Sequence, residues 1–117
     1  MMLMIVDDNA RVRRVIRRIC RDFADGFCEC ADGAEALALY GDKRPDWVVM
    51  DVGMEMMDGL TATRRILAAF PDARIVIVTR HNDEEIRDAA RNAGACGFIA
   101  KDNLLELRAV FSAPQTL

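Results

Sequence analysis

Four short apolar segments of the chain each end on a polar side chain. The segments are 3–6, 47–50, 75–78 and 97–100. The polar residues that follow them are Asp7 and Asp8 after the first, Asp51 after the second, Thr79 after the third and Lys101 after the fourth. Runs of this length are typical of buried strands in a parallel sheet. Because ligands bind at the carboxyl ends of such strands, the pattern predicts one site at one edge of one sheet.

Size and composition limit the class of protein. The chain has 117 residues, of which 52% are apolar and 30% charged, with a formal net charge of −3. These values are ordinary for one globular domain and favour no direct contact with nucleic acid. The apolar runs are too short to span a bilayer, and no signal peptide is visible, so we expect a cytoplasmic protein without a membrane contact.

The four cysteines are Cys20, Cys28, Cys30 and Cys96. Their spacing matches no zinc pattern, and the single histidine is remote in sequence. We interpret them as small apolar residues of the core.

Strand patterns and helix patterns alternate along the whole chain. Alternation of this kind predicts a parallel sheet with helices on both faces. Five strands favour a flavodoxin-like (βα)5 sandwich of three layers with strand order 2-1-3-4-5, whose switch point lies between the first and third strands. The domain is expected to occupy 1–112, and 113–117 to be a frayed tail or the start of a linker.

Some boundaries are less clearly marked than others. Asn9 is expected to be the N-cap of the first helix, and Gly41 and Pro45 are expected to close the second. The second strand is predicted over 27–31. The third helix is predicted over 61–70, and the last over 104–111, from the spacing of apolar residues.

The strand-end residues suggest a particular chemistry. Three carboxylates packed together repel one another unless a proton or a cation neutralises them. A cluster of oxygen ligands suits Mg²⁺. A metal-bound carboxylate that faces Lys101 is a good acceptor for a phosphoryl group, because the cations stabilise the charge on the phosphoryl oxygens. The hydroxyl of Thr79 could then hydrogen-bond to the phosphate.

With these residues the chain resembles the receiver domains of two-component response regulators along essentially its whole length. The residues at the four strand ends all match. Around Asp51 the family pattern runs D-x-x-M-P-x-M-x-G, and this chain reads DVGMEMMDG, in which Met54, Met57 and Gly59 match in register. The stretch AGACGFIAKD over 93–102 is most similar to the NarL/LuxR-type subfamily, whose receivers are joined to helix-turn-helix DNA-binding domains.

The resemblance implies roles for the site residues. Asp51 would be phosphorylated by a histidine kinase or a phosphotransfer protein. Asp7, Asp8, Asp51 and the backbone carbonyl of Gly53 would bind Mg²⁺. Lys101 would contact the phosphoryl group. Such a domain accepts a phosphoryl group and is not an enzyme with a diffusible product.

The resemblance also implies a conformational switch. Thr79 would move toward the phosphate, and Phe98, the switch aromatic, would change rotamer. These movements would alter the face formed by the fourth helix, fifth strand and fifth helix, and so control an output, with transcription the leading expectation. A C-terminal DNA-binding domain outside the chain and a homodimer formed through an apolar patch are further expected partners.

Two residues depart from the family pattern beside the site. Arg80 stands where the family has a small residue, and it could cover the pocket or slow the entry of the phosphodonor. Glu55 replaces a proline, adds a carboxylate near the metal, and could pair with Arg80. Both are therefore candidate modulators of rate.

Three other functions are alternatives to that of a receiver domain. An aspartyl-phosphate phosphatase requires a second acid two residues after the nucleophile, where this chain has Gly53. A flavodoxin requires a phosphate loop after the first strand, where the acid pair Asp7–Asp8 would repel phosphate. A degenerate receiver that binds proteins without phosphorylation stays open, as does the choice between a stand-alone receiver and a fragment of a longer regulator.

Overall fold

A computed structural model describes residues 1–53, 58–80 and 84–112 of the chain. The strands are β1 (Met2–Val6), β2 (Gly26–Cys30), β3 (Trp47–Asp51), β4 (Ile75–Thr79) and β5 (Gly97–Ala100). The α-helices are α1 (Ala10–Cys20), α2 (Gly33–Lys43), α3 (Gly59–Ala69), α4 (Glu84–Ala93) and α5 (Leu107–Ser112). A 3-10 helix, Lys101–Glu106, connects β5 to α5. No helix in these ranges is long and apolar enough to cross a membrane.

The five strands form one parallel sheet in the order β2-β1-β3-β4-β5, which confirms the predicted fold. Side chains of a strand alternate between the two faces, and each face has its own core. One core includes Met4, Val48 and Ile77 of the sheet. The other includes Ile5 and Val49, and contains residues of α1 and α5. Strands β1, β3 and β4 are buried on both sides, which explains their continuous apolar runs.

Helix capping agrees with the sequence at α1 and differs at α2. The side chain of Asn9 accepts hydrogen bonds from the N–H groups of Arg11 and Val12, which confirms the predicted N-cap. Of the two residues predicted to close α2, Gly41 is wrong, because the helix continues to Lys43, whereas Pro45 does follow the C-cap Arg44. The chain leaves the helix through Arg44, which adopts the left-handed conformation with φ 47°.

Three further boundaries differ from the prediction. Strand β2 begins and ends one residue earlier. Helix α3 begins at Gly59, because the carboxylate of Asp58 accepts a hydrogen bond from the N–H of Thr61 and caps the helix. The last helix, predicted over 104–111, is a 3-10 helix up to Glu106 and an α-helix from Leu107 to Ser112. Asn103, just before the predicted range, has the non-helical angles φ −123° and ψ 39°. The tail at 113–117 and Glu55 lie outside the described residues.

Candidate functional site

The sheet order brings the predicted site residues together at one edge. Strands β1 and β3 are neighbours, with Val6 opposite Met50. Asp7 directly follows β1 and Asp51 is the last residue of β3, so the two aspartates lie side by side. Thr79 is opposite Ala100 on the neighbouring pair, and Lys101 comes next in the chain. The edge is therefore the topological switch point, where ligands bind in sheets of this kind.

The ammonium group of Lys101 bridges two buried carboxylates. Its Nζ lies 3.0 Å from Oδ2 of Asp7 and 3.1 Å from Oδ1 of Asp51. The side chains are largely removed from solvent, with exposed fractions of 13% for Lys101, 2% for Asp7 and 6% for Asp51. Because charges are poorly solvated at such depth, each carboxylate depends on this shared cation.

Two hydrogen bonds hold Asp7 in place, and each involves one backbone group. Its Oδ1 accepts a hydrogen bond of 2.9 Å from the N–H of Asn9, and the guanidinium of Arg13 donates to its carbonyl oxygen at 2.6 Å. Burial raises the pKa of Asp7, and the nearby charge of Asp51 adds to the rise. The N–H of Asn9 and the ammonium of Lys101 oppose the shift. The protonated form of Asp7 is therefore favoured relative to an exposed aspartate.

The carboxylates form a plausible cation site. Asp7, Asp8 and Asp51 each offer an oxygen within 4.8 Å of the others, and Asp8 is exposed at the rim. Apart from its ion pair with the ammonium group of Lys101, buried Oδ2 of Asp7 has no hydrogen-bonding partner among the described residues. Three carboxylates and one ammonium leave about two negative charges uncompensated. A small divalent cation with oxygen ligands fits this donor set.

An open cleft lies above the carboxylates. Its volume is about 230 Å³. The residues that line it are Asp8, Asp51, Val52, Gly53, Thr79, Arg80 and Lys101. Thr79 is buried at the floor, whereas Arg80 is exposed and brings a second cation to the wall. The cleft thus offers an acidic group, a hydroxyl and two cations to an anionic ligand.

Gly53 and Gly59 border the Asp51 segment in different ways. The N–H of Gly53 donates to Oδ1 of Asp51 at 3.3 Å, and a Cβ added at position 53 would meet nothing within 4 Å. A Cβ at position 59 would overlap the carbonyl oxygen of Asp51 and lie 2.9 Å from a side-chain atom of Met50. Helix α3 therefore packs directly on the backbone of Asp51, which only glycine permits.

Phe98 lies on β5 opposite Ile77, away from the carboxylates. Its side chain is partly buried against the core, and the guanidinium of Arg87 on α4 lies 4.9 Å from the centre of its ring. The residue thus connects β5 with α4. Its role as a switch stays a prediction, as does that of Glu55, which falls outside the described ranges.

Three residues shape the site in ways that the sequence did not predict, although Asn9 was expected to be an N-cap and Gly59 matches the family pattern. Arg13 and Asn9 support Asp7, and Gly59 seats α3 against Asp51. The signal for Gly59 was its position directly after the capping residue Asp58. Arg13 carried no distinctive signal, because it is one of several arginines on α1.

The chain is similar to known signalling proteins along nearly its whole length. The response regulator receiver domain family matches residues 3–111. The response regulator GacA of Pseudomonas aeruginosa is 35% identical over 108 residues, which are 89% of this chain and 50% of GacA. The chemotaxis protein CheY of Halobacterium salinarum is 34% identical over 99 residues, which are 85% of this chain and 82% of CheY.

A solved structure shows the same relationship. A two-component response regulator of the LuxR family from Aurantimonas superposes with a TM-score of 0.83 and 33% identity, over 95% of this chain and 84% of that one. This likeness is consistent with the predicted subfamily. The chain spans about half the length of several curated relatives that it matches. Sequence, fold and relatives agree that the chain belongs to the receiver domain family of two-component response regulators.

Proposed function

We propose that Asp51 accepts a phosphoryl group from a histidine kinase or a phosphotransfer protein. The observation that carries the proposal is the bridge from Lys101 to Asp7 and Asp51 beneath an open polar cleft. A carboxylate held by a cation and open to a cleft is suited to nucleophilic attack on phosphorus. The domain would act once per phosphoryl group received, as a phosphoacceptor and not as an enzyme that releases a product.

The transfer forms one bond and breaks one. A carboxylate oxygen of Asp51 bonds to phosphorus while the bond from phosphorus to the donor breaks, and the electron pair leaves with the donor. Lys101 and the N–H of Gly53 both contact Oδ1 of Asp51, so they orient the carboxylate before attack. Lys101 then follows the new charge onto a phosphoryl oxygen, and the hydroxyl of Thr79 donates to another.

Asp7, Asp8, Asp51 and the backbone carbonyl of Gly53 would hold a Mg²⁺ ion. The ion would neutralise charge on the phosphoryl oxygens during transfer. The support for this assignment is the uncompensated negative charge and the hydrogen-bonding capacity left at buried Oδ2 of Asp7.

The output follows from the strands that carry Thr79 and Phe98. A shift of Thr79 toward the phosphate opens space beside β5, and Phe98 then turns inward from its contact with Arg87. The altered surface is the face of α4, β5 and α5. Relatives in Pseudomonas aeruginosa and Bacillus subtilis that are named as transcriptional regulators support control of transcription through a separate DNA-binding domain.

Incorporation of phosphate tests the acceptor directly. Incubation of the chain with acetyl phosphate or phosphoramidate and Mg²⁺ should add the mass of one phosphoryl group, measured by intact mass spectrometry. Asp51→Asn should abolish the addition, whereas Asp46→Asn, at the opposite edge of the sheet, should retain it. A wild-type chain that gains no mass would contradict the proposal, and an adduct that persists in Asp51→Asn would move the acceptor elsewhere.

Arg80 would tune the rate of phosphorylation. Its guanidinium forms no ion pair with any residue in the described ranges, and it lines the cleft through which the donor must enter. Arg80→Ala should therefore change the rate with a small phosphodonor. Equal rates for Arg80→Ala and wild type would dismiss this role without affecting the assignment of Asp51.

The degenerate receiver is not favoured. A receiver that had lost phosphorylation would not be expected to keep three carboxylates and a bridging lysine at the switch point, where their repulsion reduces stability.

A further inference from the structure

Glu29 lies on β2, a strand that carries none of the three clustered carboxylates. Its carboxylate accepts a hydrogen bond of 3.1 Å from Nε of Arg13. The same guanidinium donates through Nη1 to the carbonyl oxygen of Asp7 at 2.6 Å. Arg13 therefore connects Glu29 to the backbone of a residue in the carboxylate cluster.

The ion pair of Arg13 and Glu29 is largely removed from solvent. The exposed fractions of the two side chains are 20% and 25%. The other arginines of α1 are exposed, including Arg17, which contacts the second oxygen of Glu29 at 3.1 Å. A guanidinium that is mostly buried is costly without a counter-ion, so Arg13 depends on Glu29 to stay in its position.

Strand β2 fixes both backbone polar groups of Asp7. The N–H of Asp7 donates to the carbonyl oxygen of Cys30 at 3.2 Å. The carbonyl oxygen of Asp7 is held through Arg13 by Glu29, the residue before Cys30. Groups that orient a metal ligand without touching the metal contribute strongly to metal affinity. Two consecutive residues of β2 thus act on the orientation of Asp7.

Glu29 also balances the charge beside the cluster. An uncompensated guanidinium next to Asp7 would repel a divalent cation bound by the carboxylates. The ion pair with Glu29 offsets that charge. It leaves the bond to the Asp7 carbonyl intact, because Arg13 makes the two contacts with different nitrogen atoms.

We propose that Glu29 is a positioning residue for the Mg²⁺ site. It holds Arg13 against the carbonyl of Asp7 and neutralises the charge of the guanidinium, so that Asp7 is oriented without repulsion of the metal. The inference rests on the proposed function, since it concerns the ion assigned there to the carboxylate cluster. It adds to that function a residue from a strand outside the site.

Calorimetric titration of the chain with Mg²⁺ tests the proposal. Glu29→Gln keeps the size of the side chain but leaves the charge of Arg13 uncompensated, so the dissociation constant for Mg²⁺ should rise about threefold or more. A double variant with Arg13→Met and Glu29→Gln has the net charge of the wild type but loses the bond to the Asp7 carbonyl. Its dissociation constant should rise about tenfold.

The ion pair of Asp22 and Arg108 provides the matched control. It joins exposed side chains at the end of α1 and on α5, and its nitrogen–oxygen distance is 2.8 Å. Asp22→Asn with Arg108→Met also keeps the net charge, and this double variant should bind Mg²⁺ like the wild type. Equal weakening in the control would attribute the effect to a general loss of stability and overturn the proposal.

Urea denaturation without Mg²⁺ separates positioning from a merely structural role. If Glu29 only supported the fold, its variants would lose stability while the dissociation constant for Mg²⁺ stayed that of the wild type. That result would overturn the inference and leave the metal site itself intact. A wild-type chain that binds no Mg²⁺ would instead contradict the assigned metal site, and the inference about Glu29 with it.

Discussion

The two edges of the sheet both carry acidic residues beside strand ends, but the acids are neutralised differently. At the amino edge, Asp25 is 94% exposed and binds the N-terminal ammonium group at 2.6 Å. Asp46 accepts a hydrogen bond of 2.7 Å from the N–H of Met2. At the carboxyl edge, Asp7 and Asp51 are buried and share the ammonium group of Lys101.

The difference separates acids that are individually paired from acids that share a partner. Each acid of the amino edge has its own donor, so the edge is complete as it stands. The acids of the carboxyl edge converge, and one ammonium group is shared by two of the three carboxylates, while Asp8 has no cationic partner among the described residues. An aspartate at a strand end therefore indicates a site when it converges with others and is incompletely neutralised, and not by its position alone.

The largest effect on stability should come from Lys101→Met. Removal of the shared cation leaves buried carboxylates without a partner, so the free energy of unfolding should fall by about 3 kcal/mol without metal. At the other edge, Arg74→Met removes a hydrogen bond to the Asp46 carbonyl and a contact with the Trp47 ring. That variant should lose no more than about 1 kcal/mol. Urea denaturation measures both, and equal losses would contradict the contrast between the edges.

Binding of Mg²⁺ should stabilise the fold through the carboxyl edge. A ligand at one hundred times its dissociation constant adds about 2.7 kcal/mol to the free energy of unfolding. Thermal unfolding with and without Mg²⁺ should show this gain in the wild type and in Asp46→Asn. The gain should be lost in Asp51→Asn. Stabilisation by Mg²⁺ that is equal in Asp51→Asn and wild type would place the ion elsewhere.

A smaller effect of opposite sign is expected for Asp8→Asn. Asp8 adds negative charge to the cluster and has no cationic partner among the described residues. The variant should therefore be more stable than the wild type by about 1 kcal/mol when metal is absent. Asp46→Ala should instead lose about 1 kcal/mol, because the N–H of Met2 loses its acceptor. Denaturant titration without Mg²⁺ compares the two, and a destabilised Asp8→Asn would argue against repulsion at this edge.

The reactivity of the cysteine thiols should differ between the two edges of the sheet. This difference involves no change in the stability of the fold. Burial raises the pKa of Cys30, at the carboxyl end of β2, to about 12, and that of buried Cys20 to about 11. Cys96, just before β5, is exposed. Because the thiolate is the nucleophile, iodoacetamide at a pH near the ordinary thiol pKa of about 8.5 should label Cys96 first. Peptide mapping of the folded chain reads the order, and early labelling of Cys30 would show that its surroundings open readily.

The strands and their final residues could be predicted because burial on both faces leaves a visible pattern. Strands β3, β4 and β5 begin where the apolar segments begin, and each ends on or directly before the polar residue that follows its segment. Helix ends were harder, because tertiary contacts decide them. Gly41 lies inside α2, where a Cβ would sit 3.5 Å from the ring of Phe70, and the guanidinium of Arg44 lies 4.2 Å from the centre of that ring. Neither contact has a local sequence signal.

The convergence of the strand-end residues could be predicted, but the contacts that hold them in place could not. The sequence places Asp7, Asp51 and Lys101 at strand ends, and the strand order then brings them together. The contacts that orient them involve backbone atoms, such as the Asn9 N–H and the carbonyl that Arg13 binds. Backbone contacts of this kind impose little pattern on the sequence, so they are visible only in the structure.

The contrast between Gly53 and Gly59 separates what can vary in this protein from what cannot. Any side chain at 59 displaces the peptide of Asp51, whereas one at 53 extends into open space at the rim of the cleft. Mutation at 53 can therefore alter which molecules approach Asp51 and leave the framework unchanged. Related chains could therefore differ in the rate of signalling through a substitution at position 53, while Asp51 and the fold stay the same.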